Sequence, residues 1–357
     1  MPARESAPTG GTERQISGSP PLLDVRDVAV HYKVGGPLGR KRGIVKAVDG
    51  VSLRIERGEI LGLVGESGSG KSTLAKALVR LEPATRGEAL LDGVDLLNLE
   101  EKRLKPMRRR IQMVFQDSLN SLNPRRTVGY AVAEPLLVHN IVPRAQMAGR
   151  VGELLSMVGL DPTFAVRRPT QLSGGQRQRV NIARALAPEP ELIIADEPTS
   201  ALDVSVQAQI LNLLRELQRT TGVACLFISH DLGVIRRMTS RVAVLYLGRI
   251  VETGTREELY NTPRHPYTRA LLEVAPHADP RRERQRRKAP IPGEVPSALS
   301  PPAGCHFHPR CPMARERCTT DDPPLRELSV GHSSACHYAE ELARVAPVGP
   351  VLEVDPG

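Results

Sequence analysis

The sequence contains no tryptophan, and only 3% of its 357 residues are aromatic. Proteins that bind single-stranded nucleic acid stack bases on aromatic side chains, so the composition argues against that class. No stretch approaches the roughly 18 consecutive apolar residues that a membrane-spanning helix requires. Residues 1–20 lack the apolar segment of a secretory signal and are predicted to be a disordered leader. We therefore expect a cytoplasmic chain that does not itself cross a membrane.

Lysine is also scarce, with 8 lysines against 41 arginines and a net charge of +9. A basic balance suits nucleotides, nucleic acid or an anionic membrane surface, and it does not choose among them. The charge runs at residues 108–110 and 281–287 are predicted to be solvated faces. Attraction to an anionic inner leaflet is the alternative for these runs.

The five cysteines are unevenly placed. Cys225 stands alone in a predicted buried strand, and the other four fall within 32 residues: Cys305, Cys311, Cys318 and Cys336. Their spacing matches no standard zinc ribbon, and a reducing compartment disfavours disulfides. Thiols this dense suggest a soft metal ion or an iron–sulfur cluster, with free thiols in a packed module as the alternative.

Apolar strands alternate with helical patterns from Leu22 to Gly254, which predicts an α/β core with a largely parallel sheet. Asp49-Gly50 is predicted to be a turn before a strand. The predicted strands are 28–34, 51–55, 60–64, 192–195 and 224–229, with a hairpin at 242–251. The predicted helices are 73–81, 146–158, 176–186 and 206–217, and a mostly helical insert spans about 118–184. A smaller module is predicted at 256–345, followed by a tail at 346–357.

A glycine-rich segment lies between a predicted strand and a predicted helix and fits the pattern G-x-x-x-x-G-K-[ST]. Its residues are Gly65, Glu66, Ser67, Gly68, Ser69, Gly70, Lys71 and Ser72, and Thr73 follows. Glycines let backbone N–H groups surround phosphates, and the helix N-terminus favours negative charge. Lys71 is expected to reach the β- and γ-phosphates, and Ser72 to offer its hydroxyl to Mg²⁺. A structural turn before a helix is the alternative interpretation.

Two carboxylates end the apolar strand at residues 192–195. Asp196 is expected at the sheet edge beside the phosphate loop, where it can hold Mg²⁺. Glu197 points elsewhere and is suited to polarising a water in line with the γ-phosphate. Without the phosphate loop, this pattern is more often structural.

A second glycine turn precedes a helix at Leu172, Ser173, Gly174, Gly175 and Gln176. LSGGQ after a phosphate loop and before Asp-Glu resembles the signature of the ATP-binding cassette (ABC) family, and the resemblance covers about residues 22–255. It implies an ABC-type nucleotide-binding domain over residues 21–255, with a RecA-like parallel sheet, an antiparallel β subdomain and a helical insert. It also implies ATP hydrolysis, with each ATP held between one protomer's phosphate loop and the LSGGQ segment of another.

Other positions match this family one by one. The resemblance implies that Tyr32 stacks on adenine and that Gln116 senses Mg²⁺ and the attacking water. It implies that Asp203, in Ser-Ala-Leu-Asp, lies in the loop that crosses the dimer interface. It also implies that His230 contacts the γ-phosphate.

Within the family, residues 116–125 (QDSLNSLNPR) resemble the dipeptide and oligopeptide importer ATPases, a group that includes nickel importers. Residues 265–271, 291–296 and 304–312 resemble the same group, and the loop at 35–43 favours its second ATPase type. The partners implied are a second ATPase subunit, as a heterodimer, two transmembrane permease subunits and an extracytoplasmic substrate-binding protein. The location implied is the cytoplasmic face of the membrane, with no nucleic acid bound.

The alternatives are a nickel or other small-solute importer, or a soluble cassette ATPase acting on nucleic acid. The soluble cassettes carry long coiled-coil insertions or two cassettes, whereas only residues 117–172 separate Gln116 from Ser173. The resemblance further implies a [4Fe–4S] cluster on the four clustered cysteines. Zinc is the alternative, with His306, His308 or His337 as substitute ligands. We expect this module to be separable from the ATPase motifs, so that loss of the cluster loosens residues 290–340 and weakens assembly but leaves ATP binding intact.

Overall fold

The structure is a computed structural model, and it describes residues 20–35, 43–117, 121–274, 291 and 293–342. Several predicted features lie wholly or largely outside these residues: the leader, most of the loop at 35–43, residues 118–120, the charge run at 281–287 and the tail.

The described residues form twelve strands in two sheets. The strands are β1 (Leu23–Val34), β2 (Gly43–Ile55), β3 (Ile60–Val64), β4 (Arg86–Leu91), β5 (Val94–Asp95), β6 (Ile111–Val114), β7 (Leu192–Asp196), β8 (Ala224–Ser229), β9 (Arg241–Tyr246), β10 (Arg249–Thr255), β11 (Arg326–Ser329) and β12 (His332–Ser334). The α-helices are α1 (Lys71–Leu78), α2 (Glu101–Arg110), α3 (Val128–Val138), α4 (Met147–Met157), α5 (Gly174–Leu186), α6 (Val204–Thr221), α7 (Leu232–Met238), α8 (Arg256–Asn261), α9 (Pro266–Val274), α10 (Glu316–Thr320) and α11 (Ala339–Leu342).

The larger sheet has eight strands in the order β11-β12-β10-β9-β3-β8-β7-β6. Its five strands from β9 to β6 are parallel. Every residue of β7 and β8 is buried, as expected for central strands covered on both faces. The predicted parallel α/β core and the hairpin of β9 and β10 are therefore confirmed.

The smaller sheet is antiparallel, in the order β2-β1-β4-β5. The turn predicted at Asp49-Gly50 is wrong, because β2 continues through both residues. Val28 pairs with Val51 and Ala29 with Asp49, so Gly50 is the extra residue of a β-bulge. Its φ of +83° explains why glycine stands there. An Asp-Gly pair is common in turns and also fits this bulge, so only the pairing of β2 with β1 distinguishes the two structures.

Two hydrophobic clusters cover the faces of the parallel sheet, and β8 contributes to both. Cys225 and Phe227 pack with the helices α3 to α6, whereas Leu226 and Ile228 pack with the antiparallel sheet and α1. This alternation follows from the two-residue period of a strand. The interpretation of Cys225 as a core residue is confirmed, since it is 8% exposed.

The C-terminal part of the chain extends the sheet of the preceding part. Glu252 of β10 pairs with Ser334 of β12, and β11 then pairs with β12. The Glu252 carboxylate is fully buried and accepts hydrogen bonds from the Arg264 and His265 N–H groups, at 2.6 and 2.9 Å. The carboxylate also lies 2.8 Å from the His332 Nε2. The strands on the two sides of the predicted boundary near residue 255 therefore belong to one continuous sheet.

Candidate nucleotide-binding site

The loop from Gly65 to Gly70 joins the end of β3 to the start of α1, the predicted position of a phosphate loop. A Cβ at Gly65 would lie 2.2 Å from the Leu245 carbonyl oxygen, and one at Gly70 would lie 2.1 Å from the Ala47 carbonyl oxygen. Gly68 and Gly70 have φ values of +78° and +106°, in the region that favours glycine. Neighbouring strands therefore require glycine here for reasons of space as well as of backbone conformation.

Lys71 is the first residue of α1 and is 4% exposed. Its ammonium donates to the carbonyl oxygens of Gly65, at 2.8 Å, and of Glu66, at 3.0 Å. Burial lowers the pKa of Lys71, and the nearby carboxylates Glu197 and Asp196 oppose that effect. The loop's own carbonyls thus hold a buried cation at the N-terminus of a helix, where an anion is favoured.

Ser72 and Asp196 meet although they are 124 residues apart in sequence. The Ser72 hydroxyl donates to the Asp196 Oδ1 at 3.0 Å, and Asp196 ends β7 at 3% exposure. Burial raises the pKa of the Asp196 carboxyl, and the Ser72 hydrogen bond opposes this rise. A hydroxyl and a buried carboxylate are oxygen ligands of the kind Mg²⁺ prefers, so these two residues fit a magnesium ion.

Glu197 lies between two other predicted site residues. Its Oε2 accepts from the Gln116 Nε2 at 3.2 Å and lies 3.0 Å from the His230 Nδ1. Glu197 has a φ of +45°, uncommon for a residue other than glycine, and its N–H donates to the Ile228 carbonyl at 3.0 Å. The Glu197 side chain is 12% exposed.

Ser173 caps α5, and its hydrogen bonds stay within that helix start. Its hydroxyl accepts from the Gln176 N–H at 3.3 Å, and the Gln176 side chain accepts from the Ser173 N–H at 3.0 Å. Gly174 follows as the first helical residue, two positions earlier than predicted, and Gly175 lies against Val206 of α6. Ser173 itself is exposed. Asp203 caps α6 in the same way by accepting from the Val206 N–H at 2.9 Å.

Tyr32 lies on β1 and is 38% exposed. Burial of its hydroxyl end raises the pKa of Tyr32, and Glu82 and the Thr73 hydroxyl lie close enough to contribute. Tyr32 therefore stands beside the start of α1 with much of its side chain free. Ser67, in the exposed part of the phosphate loop, is likewise accessible, whereas Ser69 is buried.

Residues 48–200 match the family described as ABC transporter, and residues 251–318 match the oligopeptide/dipeptide transporter, C-terminal region. A relative from Sinorhizobium fredii, the probable peptide ABC transporter ATP-binding protein y4tS, is 51% identical over 90% of this chain and 91% of its own length. The chain belongs to the ABC transporter family. The oligopeptide transport ATP-binding protein AppF of Bacillus subtilis is 49% identical over 88% of this chain and 97% of its own length.

The cassette fold of this ABC protein is also found among solved structures. The ATP-binding cassette MJ0796, in a dimeric post-hydrolysis state bound to ADP and Pi, has a TM-score of 0.59 and 35% identity. It covers 66% of this chain and 99% of its own length. The predicted family and cassette fold are thus confirmed, and membership makes this ABC subunit an ATPase. No helix among the described residues is long and apolar enough to span a membrane.

The C-terminal region of this ABC subunit contacts the phosphate loop, which the sequence did not lead us to expect. The Arg310 guanidinium bonds to both carboxylate oxygens of Glu66, at 2.7 and 3.1 Å. The Tyr267 hydroxyl accepts from the Glu66 N–H at 2.8 Å. The C-terminal region and the phosphate loop are therefore in direct contact, and the expectation that loss of the cluster leaves ATP binding intact stays a prediction. Both residues lie in segments that resemble importer ATPases, and that resemblance was the only signal the sequence offered.

The four clustered cysteines line one small pocket together with Phe307, His308 and His337. All four thiols are free. Burial raises the pKa of Cys305 to about 11 and that of Cys336 to about 12, and the neighbouring thiols contribute to both. The fold of this region thus brings together four cysteine side chains that lie up to 31 positions apart in the sequence.

The side chains around the pocket do not converge on a single metal ion. Within the described ranges, no three His, Cys, Asp or Glu side chains are arranged to hold one. His308 Nδ1 lies 2.9 Å from the Cys305 carbonyl oxygen, and His337 Nε2 lies 2.9 Å from the Asp321 carbonyl oxygen. His306 does not line this pocket but a neighbouring one, of about 460 Å³, beside Arg249 and Asp49.

Proposed function

We propose that this chain is the ATP-hydrolysing subunit that powers the import of di- or oligopeptides through a membrane permease. The observation that carries the proposal is the pair of contacts at the end of β7. Asp196 accepts from Ser72 of the phosphate loop, and Glu197 lies against Gln116 and His230. The peptide ABC transporter and oligopeptide transport relatives support the assignment to peptide import.

In the proposed reaction, backbone N–H groups of the phosphate loop and the Lys71 ammonium would bind the β- and γ-phosphates, with Thr73 at the start of the helix beside them. Tyr32 would stack on the adenine. Ser72 and Asp196 would hold Mg²⁺, with Gln116 near it, and the ion would supply charge neutralisation for the transferred phosphoryl group. Glu197 is the group positioned to orient water and accept its proton. His230 and Gln116 fix the Glu197 carboxylate through the contacts at 3.0 and 3.2 Å.

We propose that a second cassette completes each site, as a heterodimer of two ATPase subunits. Ser173, Gly174, Gly175 and Gln176 would bind the γ-phosphate of the partner's ATP, since the exposed Ser173 begins a helix. Asp203 caps the helix beside this surface. An isolated subunit should hydrolyse ATP slowly, because its site lacks the phosphate contacts that the partner cassette would supply.

We further propose that residues 21–255 act as the nucleotide-binding domain, that residues 118–184 dock a cytoplasmic segment of the permease, and that residues 256–345 form a C-terminal extension. Gln116 contacts Glu197, and Ser121, a few residues further on, donates to Asn181 of α5 at 2.9 Å. The Arg184 guanidinium bonds to the Ser121 carbonyl oxygen at 2.6 Å. Movement at the nucleotide would thus reach α5, the helix that Ser173 caps. Docking would place the subunit peripherally at the cytoplasmic face of the membrane.

The test uses the complex of both ATPase subunits, the two permease subunits and the extracytoplasmic binding protein. We expect ATP hydrolysis to rise when the binding protein carries a peptide, and a peptide to be identified as the co-purified ligand. Stimulation by Ni²⁺-loaded binding protein would redirect the proposal to a metal importer. Stimulation by nucleic acid without permease would refute a transport role.

We also propose that Cys305, Cys311, Cys318 and Cys336 hold a [4Fe–4S] cluster. Four thiols around one pocket, one buried and three half-buried, would supply the Cys₄ ligand set of such a cluster. A zinc ion requires all of its ligands within about 2.3 Å of one point, and no such convergence occurs among the described residues.

Anaerobically purified protein should contain iron and sulfide, and replacing any one of the four cysteines by serine should reduce both. Cys225→Ser is the matched control, because Cys225 lies in β8 among core side chains. Stoichiometric zinc without iron would replace the cluster by a zinc site. Protein with neither metal would leave four packed thiols.

A further inference from the structure

Glu66, the second residue of the phosphate loop, is held from outside the loop at two points. Its backbone N–H donates to the Tyr267 hydroxyl, and its carboxylate receives both hydrogen bonds of a bidentate Arg310 pair. Both partners lie beyond residue 255, at sequence separations of 201 and 244 residues. The phosphate loop therefore rests on the C-terminal extension.

The two supporting residues are themselves rigidly placed. The Arg310 side chain is 4% exposed, and Tyr267 is fully buried. The Tyr267 ring packs against the Tyr246 ring at a centroid distance of 4.6 Å and against the Phe307 ring at 5.4 Å. A packed aromatic cluster thus fixes the groups that contact Glu66, and a bidentate arginine pair adds directional specificity.

Glu66 in turn determines where the loop's charged group lies. Its carbonyl oxygen accepts from the Lys71 ammonium at 3.0 Å and from the Ser69 N–H at 3.1 Å. A displacement of Glu66 would therefore move the Lys71 ammonium and the turn that precedes α1. Loss of Arg310 would also leave a carboxylate unpaired in a loop that binds a polyanion, and like charges repel.

We infer that Arg310 and Tyr267 are positioning residues of the nucleotide site: they hold Glu66 so that the phosphate loop is preorganised and its carboxylate is neutralised before ATP binds. The inference rests on the nucleotide site proposed above. Arg310 also lies directly before Cys311, on the short helical turn His308–Arg310. A rearrangement at Cys311 would therefore act on the adjacent Arg310 and, through its ion pair with Glu66, on the phosphate loop.

The test measures the dissociation constant of a fluorescent ATP analogue with Mg²⁺, using the full-length chain. Arg310→Met should weaken binding on the order of 10- to 100-fold, because it removes a charge-assisted pair and frees a carboxylate. Arg310→Lys should restore part of the affinity, and saturating ATP should restore most of kcat. Tyr267→Phe, which keeps the ring packing, should weaken binding severalfold. Arg315→Ala is the matched control, since Arg315 pairs with Glu341 in the same extension.

A double substitution distinguishes the positioning role of Arg310 from a merely structural one. Because Arg310 acts through Glu66, Arg310→Met should weaken binding much less when Glu66 is already glutamine. Independent effects of the two substitutions, or unchanged affinity in folded Arg310→Met and Tyr267→Phe proteins, would overturn the inference. A wild-type chain that fails to bind the analogue would instead refute the nucleotide site, and with it the inference.

Discussion

Asp49 is a buried carboxylate whose removal should destabilise the protein by a calculable amount. Its side chain is 6% exposed, and it accepts from the Arg249 guanidinium at 2.9 Å and lies 3.0 Å from the His31 Nε2. Burial alone would raise the pKa of Asp49, but the Arg249 and His31 hydrogen bonds outweigh burial and lower it to about 2 from 3.8. Since each unit is worth about 1.4 kcal/mol, the shift corresponds to about 2 kcal/mol of stability.

The pH dependence has a definite sign. A carboxyl whose pKa is lowered on folding contributes its full stability above its unfolded pKa and loses it as the pH falls through its folded pKa. Asp49→Asn should therefore lower the free energy of unfolding by about 2 kcal/mol at pH 7. About half of that difference should remain at pH 3, where Asp49 is protonated in unfolded chains and still ionised in folded ones.

Urea denaturation of wild-type and variant protein from pH 7 to pH 3 provides the assay. Glu153→Gln is the control, because Glu153 is 64% exposed and pairs with Arg150 at the surface. Such surface pairs contribute little, so this variant should differ from wild type by less than about 0.5 kcal/mol. Equal stability of Asp49→Asn and wild type at pH 7, or a difference that grows as the pH falls, would refute the reasoning.

Two further predictions concern the nucleotide site. Gly70→Ala should abolish ATP binding, measured by equilibrium titration, because its Cβ would lie 2.1 Å from the Ala47 carbonyl oxygen. Gly222→Ala, which also has a positive φ but has open space around it, should cost only about 1 kcal/mol of stability and leave binding intact. ATP turnover per subunit should rise with protein concentration and with added partner cassette; constant turnover over a hundredfold dilution would contradict a shared site.

The features that the sequence predicted correctly are contiguous in the chain. The strand–loop–helix unit around residues 65–72 is one continuous segment, and the apolar runs of β7 and β8 indicate both their strand character and their burial. The position of Asp196 opposite Ser72 then follows from the parallel order β3-β8-β7, in which the carboxyl ends of the strands share one edge.

The features that it missed depend on pairing between distant residues. The bulge at Gly50 is defined by its pairing with β1, and a turn has the same local composition. The addition of β12 to β10 could not be read from either strand, because β12 has only three residues. Arg310 occurs among 41 arginines, and nothing local to it indicates a partner 244 residues away.

The most direct test of the account is ATP hydrolysis by Glu197→Gln protein in the assembled transporter. Glutamine keeps the size of the side chain and can still contact Gln116 and His230, but it cannot accept a proton from water. We predict that turnover falls on the order of 10²- to 10⁴-fold while ATP stays bound between closed cassettes. Near-normal hydrolysis by this variant would contradict the assignment of Glu197, and with it the mechanism proposed for the site.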